Sequence, residues 1–272
     1  MTSWPPPPAR PEARPPLMRL VTLGTGTVAL TPERVCAGHY VEAGDARLLL
    51  DCGSGVTHRL AELALPWQRI THVAITHFHT DHIADFTTLA FAWKYGDLPA
   101  RSEPVTLIGP VGIGALLEKF IGTFGDWLRE PGFPLVVREV APGESVDLGD
   151  GATLRATKVP HTEESVAYAI ERGGRRLVYT GDTGFDPMFG EWARGADVLL
   201  CECSLPTAMA IPSHLTPEQC GALAAAALPK HLVLTHFYPP VERVDIRALV
   251  AAHYPGPVTL AVDGFMLQIE ED

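Results

Sequence analysis

Along the chain, short apolar runs bounded by glycine, proline and polar residues alternate with longer stretches of helical period. The short runs predict strands. "LMRLVTLGTGT" (17–27) reads as a strand entering a glycine-rich turn, and "HYVEAG" with "ARLLLDCG" as a hairpin around Gly44 and Asp45. "THVAITHFHTDH" (71–82) reads as a short strand followed by a polar loop. "PVTLIGP", "TLRATKVPH", "SVAYAIERGGRRLVYTGDT", "ADVLLCEC" and "HLVLTHF" predict further strands, and "GPVTLAVDGFMLQIE" a closing hairpin-like pair. Helical spacing marks "GVTHRLAELAL", "IADFTTLAFAWKYG", "GIGALLEKFIGTFGDWLRE", "PEQCGALAAAAL" and "DIRALVAAHY". Before the fourth of these, Thr216 caps, Pro217 suits the first helical position and Gln219 completes a capping box. Strands interspersed with helices predict an α/β layer arrangement, sheets sandwiched between helices.

Two features change this picture at the level of the whole chain. Residues 1–17 hold seven prolines, which predicts a flexible, partly extended tail before a single domain over 18–272. The formal net charge of −11 argues against nucleic acid as an obligatory partner, because the longest basic run is Arg175-Arg176. Five cysteines without Cys-x-x-Cys spacing read as free thiols in a reducing compartment. No apolar run approaches a membrane span and no signal-peptide core opens the chain, so a cytoplasmic protein without a membrane partner is expected.

The strongest chemical signal is "HFHTDH", which sets His77, His79, Asp81 and His82 within six positions. Zinc and similar cations take imidazole nitrogen and carboxylate oxygen. Ligands two apart in a loop can face one ion, and the next two can serve a second ion. Other apolar runs also end in an ionisable residue: Asp51 after "ARLLL", His161 after "LRATKVP", Asp182 after "RRLVYT", Glu202 after "ADVLLC" and His236 after "HLVLT". Open α/β sheets hold ligands beyond the carboxyl ends of their strands. A lone residue of this kind is commonly a turn residue; the group together points to a metal centre.

"HFHTDH", "PHT", "YTGDT" and "LTHFYP" resemble the metallo-β-lactamase superfamily of binuclear metal hydrolases. "LGTGTVALTPERV", "LLLDCGSG", "LIGPVG" and "SHLTPEQCGALAAAA" resemble its tRNA 3′-end endonuclease (RNase Z) and phosphodiesterase branch, from about Leu20 onward. The resemblance implies an αββα sandwich of two mixed sheets with the site at one edge. It implies two divalent ions, zinc by the donor set with manganese or iron accepted by the same donors. One ion would take His77, His79 and His161, and the other Asp81, His82 and His236. Asp182 would bridge them and Asp51 would steady a ligand loop from outside. The implied reaction is attack of a metal-held hydroxide, oriented by Asp81. His214, left over from the ligand count, would protonate the leaving oxygen as general acid with Glu202 as its partner. A purely structural His214–Glu202 hydrogen bond is the alternative.

The chain departs from the tRNA-processing enzymes in one respect. Their long arm falls between the positions of His161 and Asp182, which here lie 21 residues apart, filled by one predicted hairpin around Gly173 and Gly174. Arm-less relatives resemble small-substrate phosphodiesterases, so small phosphodiesters or cyclic nucleotides are the expected substrates. Lactonases and other ester or sulfate hydrolases, with Tyr40, Tyr179 or Tyr238 assisting a carbonyl, are the alternative; tRNA maturation is disfavoured. β-Lactam hydrolysis would fit as a promiscuous side activity, and a non-catalytic metal-binding module fits a complete ligand set poorly. A homodimer is expected from the resemblance alone. The aromatic segment 86–134 (Phe91, Trp93, Tyr95, Phe120, Phe124, Trp127 and Phe133) reads either as an apolar wall over the site or as core and dimer packing.

Overall fold

A computed structural model describes residues 17–271. In chain order the elements are β1 (Met18–Gly24), β2 (Gly38–Ala43), β3 (Ala46–Leu50), α1 (Val56–Glu62), β4 (His72–Ala74), α2 (Thr80–Ile83), α3 (Phe86–Phe91), β5 (Val105–Gly109), α4 (Ile113–Phe124), β6 (Leu135–Glu139) and β7 (Ser145–Gly149). They continue as β8 (Ala152–Lys158), β9 (Val166–Arg172), β10 (Arg175–Tyr179), α5 (Pro187–Trp192), β11 (Val198–Glu202), α6 (Pro217–Ala227), β12 (His231–Thr235), α7 (Ile246–Ala251), β13 (Val258–Leu260) and β14 (Met266–Ile269).

Strand periodicity builds the layers. Leu48 and Leu50 of β3 pack into the cluster between the sheets, whereas Leu49 points outward to the cluster under α1, α3 and α4. Leu177 and Tyr179 of β10 likewise face inward while Val178 joins the cluster with α5, α6 and α7. Each residue step flips the face. Both faces of the central strands are therefore buried, while the edge strand β7 alternates exposed and buried positions; fully burying a large apolar side chain is worth about 1.5–3 kcal/mol. The result is the αββα sandwich, with two mixed seven-stranded sheets in the orders β14-β1-β2-β3-β4-β5-β6 and β13-β12-β11-β10-β9-β8-β7.

Some expectations need correction. The closing "hairpin" does not pair with itself: β13 runs parallel to β12 in the second sheet, while β14 pairs antiparallel with β1 in the first. The link between them crosses the sandwich, held where Thr22 accepts from the Gly264 N–H and donates its hydroxyl to the Val262 carbonyl. The polar loop after β4 contains a helical turn, α2, that carries Asp81 and His82. The pattern also left β6, β7 and α5 unassigned. The aromatic segment 86–134 is no wall over the site: Trp93 and Phe133 are buried in the outer cluster, and Phe91, Tyr95 and Trp127 pack on one another. The proline-rich stretch lies outside the described residues up to residue 16. Leu17 itself is buried, and its carbonyl accepts from Arg172.

Candidate metal centre

All the predicted site residues converge at one edge of the sandwich, beyond the carboxyl ends of β3, β4, β8, β10, β11 and β12. Three local features bring them there. Asp51 and His236, each just past a strand, adopt left-handed backbone conformations at φ 57° and 59°. Such non-glycine residues cost about 1–3 kcal/mol each and persist where their surroundings hold them. Asp51 is held by the Thr76 N–H and hydroxyl at 2.7 and 2.9 Å and by the Tyr179 hydroxyl at 2.8 Å. His236 is held by Ser204, whose Oγ lies 2.9 Å from Nδ1 and 3.1 Å from the backbone carbonyl. Gly181, at φ 57°, brings the second sheet against Thr76 of the first; a Cβ there would fall 2.8 Å from the Thr76 side chain.

The donor atoms form two groups that share one carboxylate. His77 Nε2 and His161 Nε2 each lie 3.1 Å from His79 Nδ1, and each lies 3.8 Å from Asp182 Oδ2. His82 Nε2 and His236 Nε2 lie 3.3 Å apart, and 3.2 and 3.3 Å from Asp182 Oδ1. Asp81 Oδ2 completes this group, 3.7 Å from His236 Nε2. Asp182 thus turns one oxygen to each group.

The residues fit cations on two independent observations. Four donors at about 2.0–2.1 Å from one centre, in tetrahedral array, stand about 3.3 Å from each other, as most of these atoms do. The hydrogen-bond roles agree. His82 Nδ1 lies 2.7 Å from the Asp51 carboxylate and His161 Nδ1 lies 2.9 Å from the Ser213 carbonyl, both pure acceptors, so these outer nitrogens carry the proton. In neutral rings the inward nitrogens are then lone pairs facing lone pairs. Asp182 Oδ1 is likewise buried without a hydrogen-bond partner. A divalent cation satisfies both, and the outer partners orient its ligands.

Electrostatics follow from the crowding. Burial, with His82 next to it, holds His77 well below the ordinary imidazole range. Burial pushes Asp182 upward, but His236 and His82 outweigh it and hold the carboxylate well below its usual range. Burial also opposes protonation of His214, yet the hydrogen bond and charge of Glu202 win and push it up to about 9.

His214 lies outside the two principal groups, although Asp182, His214 and His236 form a third trio of close donors. Its Nδ1 lies 2.9 Å from Glu202 Oε1, its ring stacks on His236 at 5.7 Å, and it lines the cleft, so Nε2 is the nitrogen left for a ligand. Glu202 is fully buried, and besides His214 it accepts from Thr183 N, Ser204 Oγ and Leu215 N. The capping box at Thr216 and Gln219 is formed and ends the loop that presents His214.

The cleft has a volume of about 410 Å³ and is lined by Val28, Phe78, His79, Thr80, Asp81, Asp182, His214 and Tyr238. Of the three candidate tyrosines only Tyr238 reaches it. Tyr40 is buried in the outer cluster and bonds Glu42, while Tyr179 serves Asp51. Sequence reasoning missed Ser204, Thr76 and His39. Ser204 had a signal, standing two residues beyond Glu202; His39 had none. The His39 ring is buried edge-on against Tyr179, neither of its nitrogens has a hydrogen-bond partner, and burial, then His82 and His236, push it down to about 3. All five cysteines are free and buried, and no described helix is long and apolar enough to cross a membrane.

Comparison with known proteins agrees with this geometry. The profile of the Beta-lactamase superfamily domain matches residues 46–237. An uncharacterized protein of Mycobacterium leprae (strain TN) is 32% identical over 257 residues, covering 93% of this chain and 89% of its own. The ribonuclease Z of Mycobacterium bovis (strain BCG / Pasteur 1173P2) is 28% identical over 273 residues, covering 91% and 96%. Among solved structures, the metallo-beta-lactamase fold protein YhfI from Bacillus subtilis superimposes with a TM-score of 0.79 at 24% identity, covering 92% of this chain and 99% of that one. Fold, donor set and relatives converge: the chain belongs to the metallo-β-lactamase superfamily of metal-dependent hydrolases, on its RNase Z-like side.

Proposed function

We propose that the protein is a binuclear phosphodiesterase acting on small phosphodiesters or cyclic nucleotides. The observation that carries this reading is the pairing of a two-group donor set with an imidazole outside it, His214, whose Nδ1 is hydrogen-bonded to the buried Glu202 carboxyl group. His77, His79 and His161 would hold one ion, Asp81, His82 and His236 the second, and the two oxygens of Asp182 both. Zinc suits this donor set, and manganese or iron accepts the same ligands. When bound, the cations supply a nucleophile at neutral pH and neutralise the charge of a phosphodiester. Asp81, which lines the cleft, would orient the attacking group. His214 delivers its Nε2 proton to the departing oxygen, and Glu202 keeps that proton in place at pH 7 and fixes the ring.

Substrate size follows from the walls. The strands β9 and β10 are joined by a two-glycine turn at Gly173-Gly174 in place of an arm, and the chain is acidic, so a long polyanion finds neither clamp nor counter-charge. A second reading, ester or lactone hydrolysis, rests on Tyr238. It lines the cleft 6.1 Å from the rings of His214 and His236, and burial keeps its phenol protonated to donate to a carbonyl oxygen.

Leaving-group dependence tests the role of His214. His214→Ala is expected to lose about 10²–10⁴ in kcat on a diester that expels an alkoxide. It should lose far less on one that expels p-nitrophenolate, with metal content retained. Equal losses on both, or loss of metal, contradict a general acid.

A further inference from the structure

A second cavity, of about 440 Å³, adjoins the metal cleft, and Phe78 lines both. Its apolar lining is Phe78, Pro110, Val111 and Pro142. None of these is used by the chemistry above, yet the cavity is of the size of small-molecule sites. Its walls are fixed from several directions. Phe78 stands between two ligand histidines in the sequence, so its backbone is pinned on both sides. Gly112, at φ 105°, sits under the ring; a Cβ there would fall 3.4 Å from Phe78 Cε2. Glu139 accepts from the Gly112 and Gly114 N–H groups at 3.0 and 3.2 Å, which holds the turn bearing Val111. Lys158 donates to the carbonyls of Thr162 and Glu163 at 2.6 Å each, which holds the opposite wall.

We propose that this cavity is the subsite for the substituent that stays on phosphorus, and that it selects a neutral aromatic group such as a phenyl ring or a nucleobase. The inference rests on the diesterase reading for the identity of the reacting centre. Two observations choose the occupant. The exposed face of Phe78 and the Val111 side chain offer an apolar slot in which a flat ring stacks. Glu163 and Glu164 stand in the lining, and the ammonium of Lys158 is turned to backbone carbonyls, so a phosphate placed there meets carboxylates without a free cation. His214 lines the metal cleft and not this cavity, so the leaving group departs on the other side.

The test pairs kinetics with binding. In p-nitrophenyl diesters of the metal-loaded protein, KM is expected to be about fivefold or more lower when the retained substituent is phenyl or a nucleoside than when it is methyl. Val111→Asp, outside the metal ligands, should abolish that difference and leave the methyl diester unchanged. Calorimetry with phenylphosphonate against methylphosphonate reads the same preference without turnover, and Val111→Asp should remove it there too. Equal KM values across the series, equal binding of the two phosphonates, or equal losses on all ligands in Val111→Asp overturn the subsite. Phenyl-selective binding without turnover of any diester upholds the subsite and overturns the diesterase reading instead.

Discussion

At the residue scale the site is a set of imidazoles whose protons are directed outward. Asp51 and Ser213 take the outer N–H of His82 and His161, and this frees the inner nitrogens for cations. His39 behaves oppositely, as a buried neutral ring with no acceptor. Its pKa falls from 6.5 to about 3, so between those values the unfolded chain binds a proton that the folded chain does not. Stability from this residue is complete above pH 6.5 and declines as pH falls through the window toward 3. His39→Phe, which keeps an aromatic edge against Tyr179, is expected to flatten the acid limb of a Tm-against-pH profile between pH 6.5 and 4. An acid limb as steep as that of the natural chain would refute the assignment. The candidate ligands were legible in the sequence because they either crowd into "HFHTDH" or follow an apolar strand. His39 was not, because its role depends on neighbours from both sheets.

At the scale of elements, the ligand-bearing turn after β4 is positioned by backbone packing more than by side chains. Cys52 donates its N–H to the His82 carbonyl at 2.7 Å. Gly53 passes so close beneath that a Cβ would fall 1.9 Å from the Asp81 carbonyl oxygen. That oxygen cannot swing away without moving two ligands. Gly53→Ala is therefore expected to lower Tm by about 5–10 °C and to weaken divalent-metal binding together. Unchanged metal stoichiometry and Tm would show that the turn has slack. The hydrophobic pattern located most strands and helices, including the β2–β3 and β9–β10 hairpins. It failed at β13 and β14, because adjacency in sequence suggested a hairpin where the chain changes sheets. It also could not tell which way the aromatic segment faces: Trp93 and Phe133 turn into the outer cluster, away from the cleft. The pocket formed by Phe78 with Val111 and Pro142 joins three separate loops, and no local pattern announces such a meeting.

At the scale of the molecule, two sheets close over one apolar layer, and both deliver candidate ligands to the same edge. His77, His79, Asp81 and His82 come from the first sheet; His161, Asp182 and His236 come from the second. Neither sheet alone builds either donor group around Asp182, so the site reports on the correct closure of the sandwich. The chain's acidity and the short β9–β10 turn are the features on which the proposal of a compact, singly charged substrate rests. The most direct measurement is a hydrolysis panel on the metal-loaded protein: a small phosphodiester, a cyclic nucleotide, a lactone, an arylsulfate and a tRNA precursor. For a small or cyclic phosphodiester kcat/KM is expected at least about tenfold above every other member, equivalent to about 1.4 kcal/mol in the barrier. That activity is expected to be lost on chelation. Lactone or tRNA-precursor turnover exceeding that of the diesters would contradict the diesterase proposal.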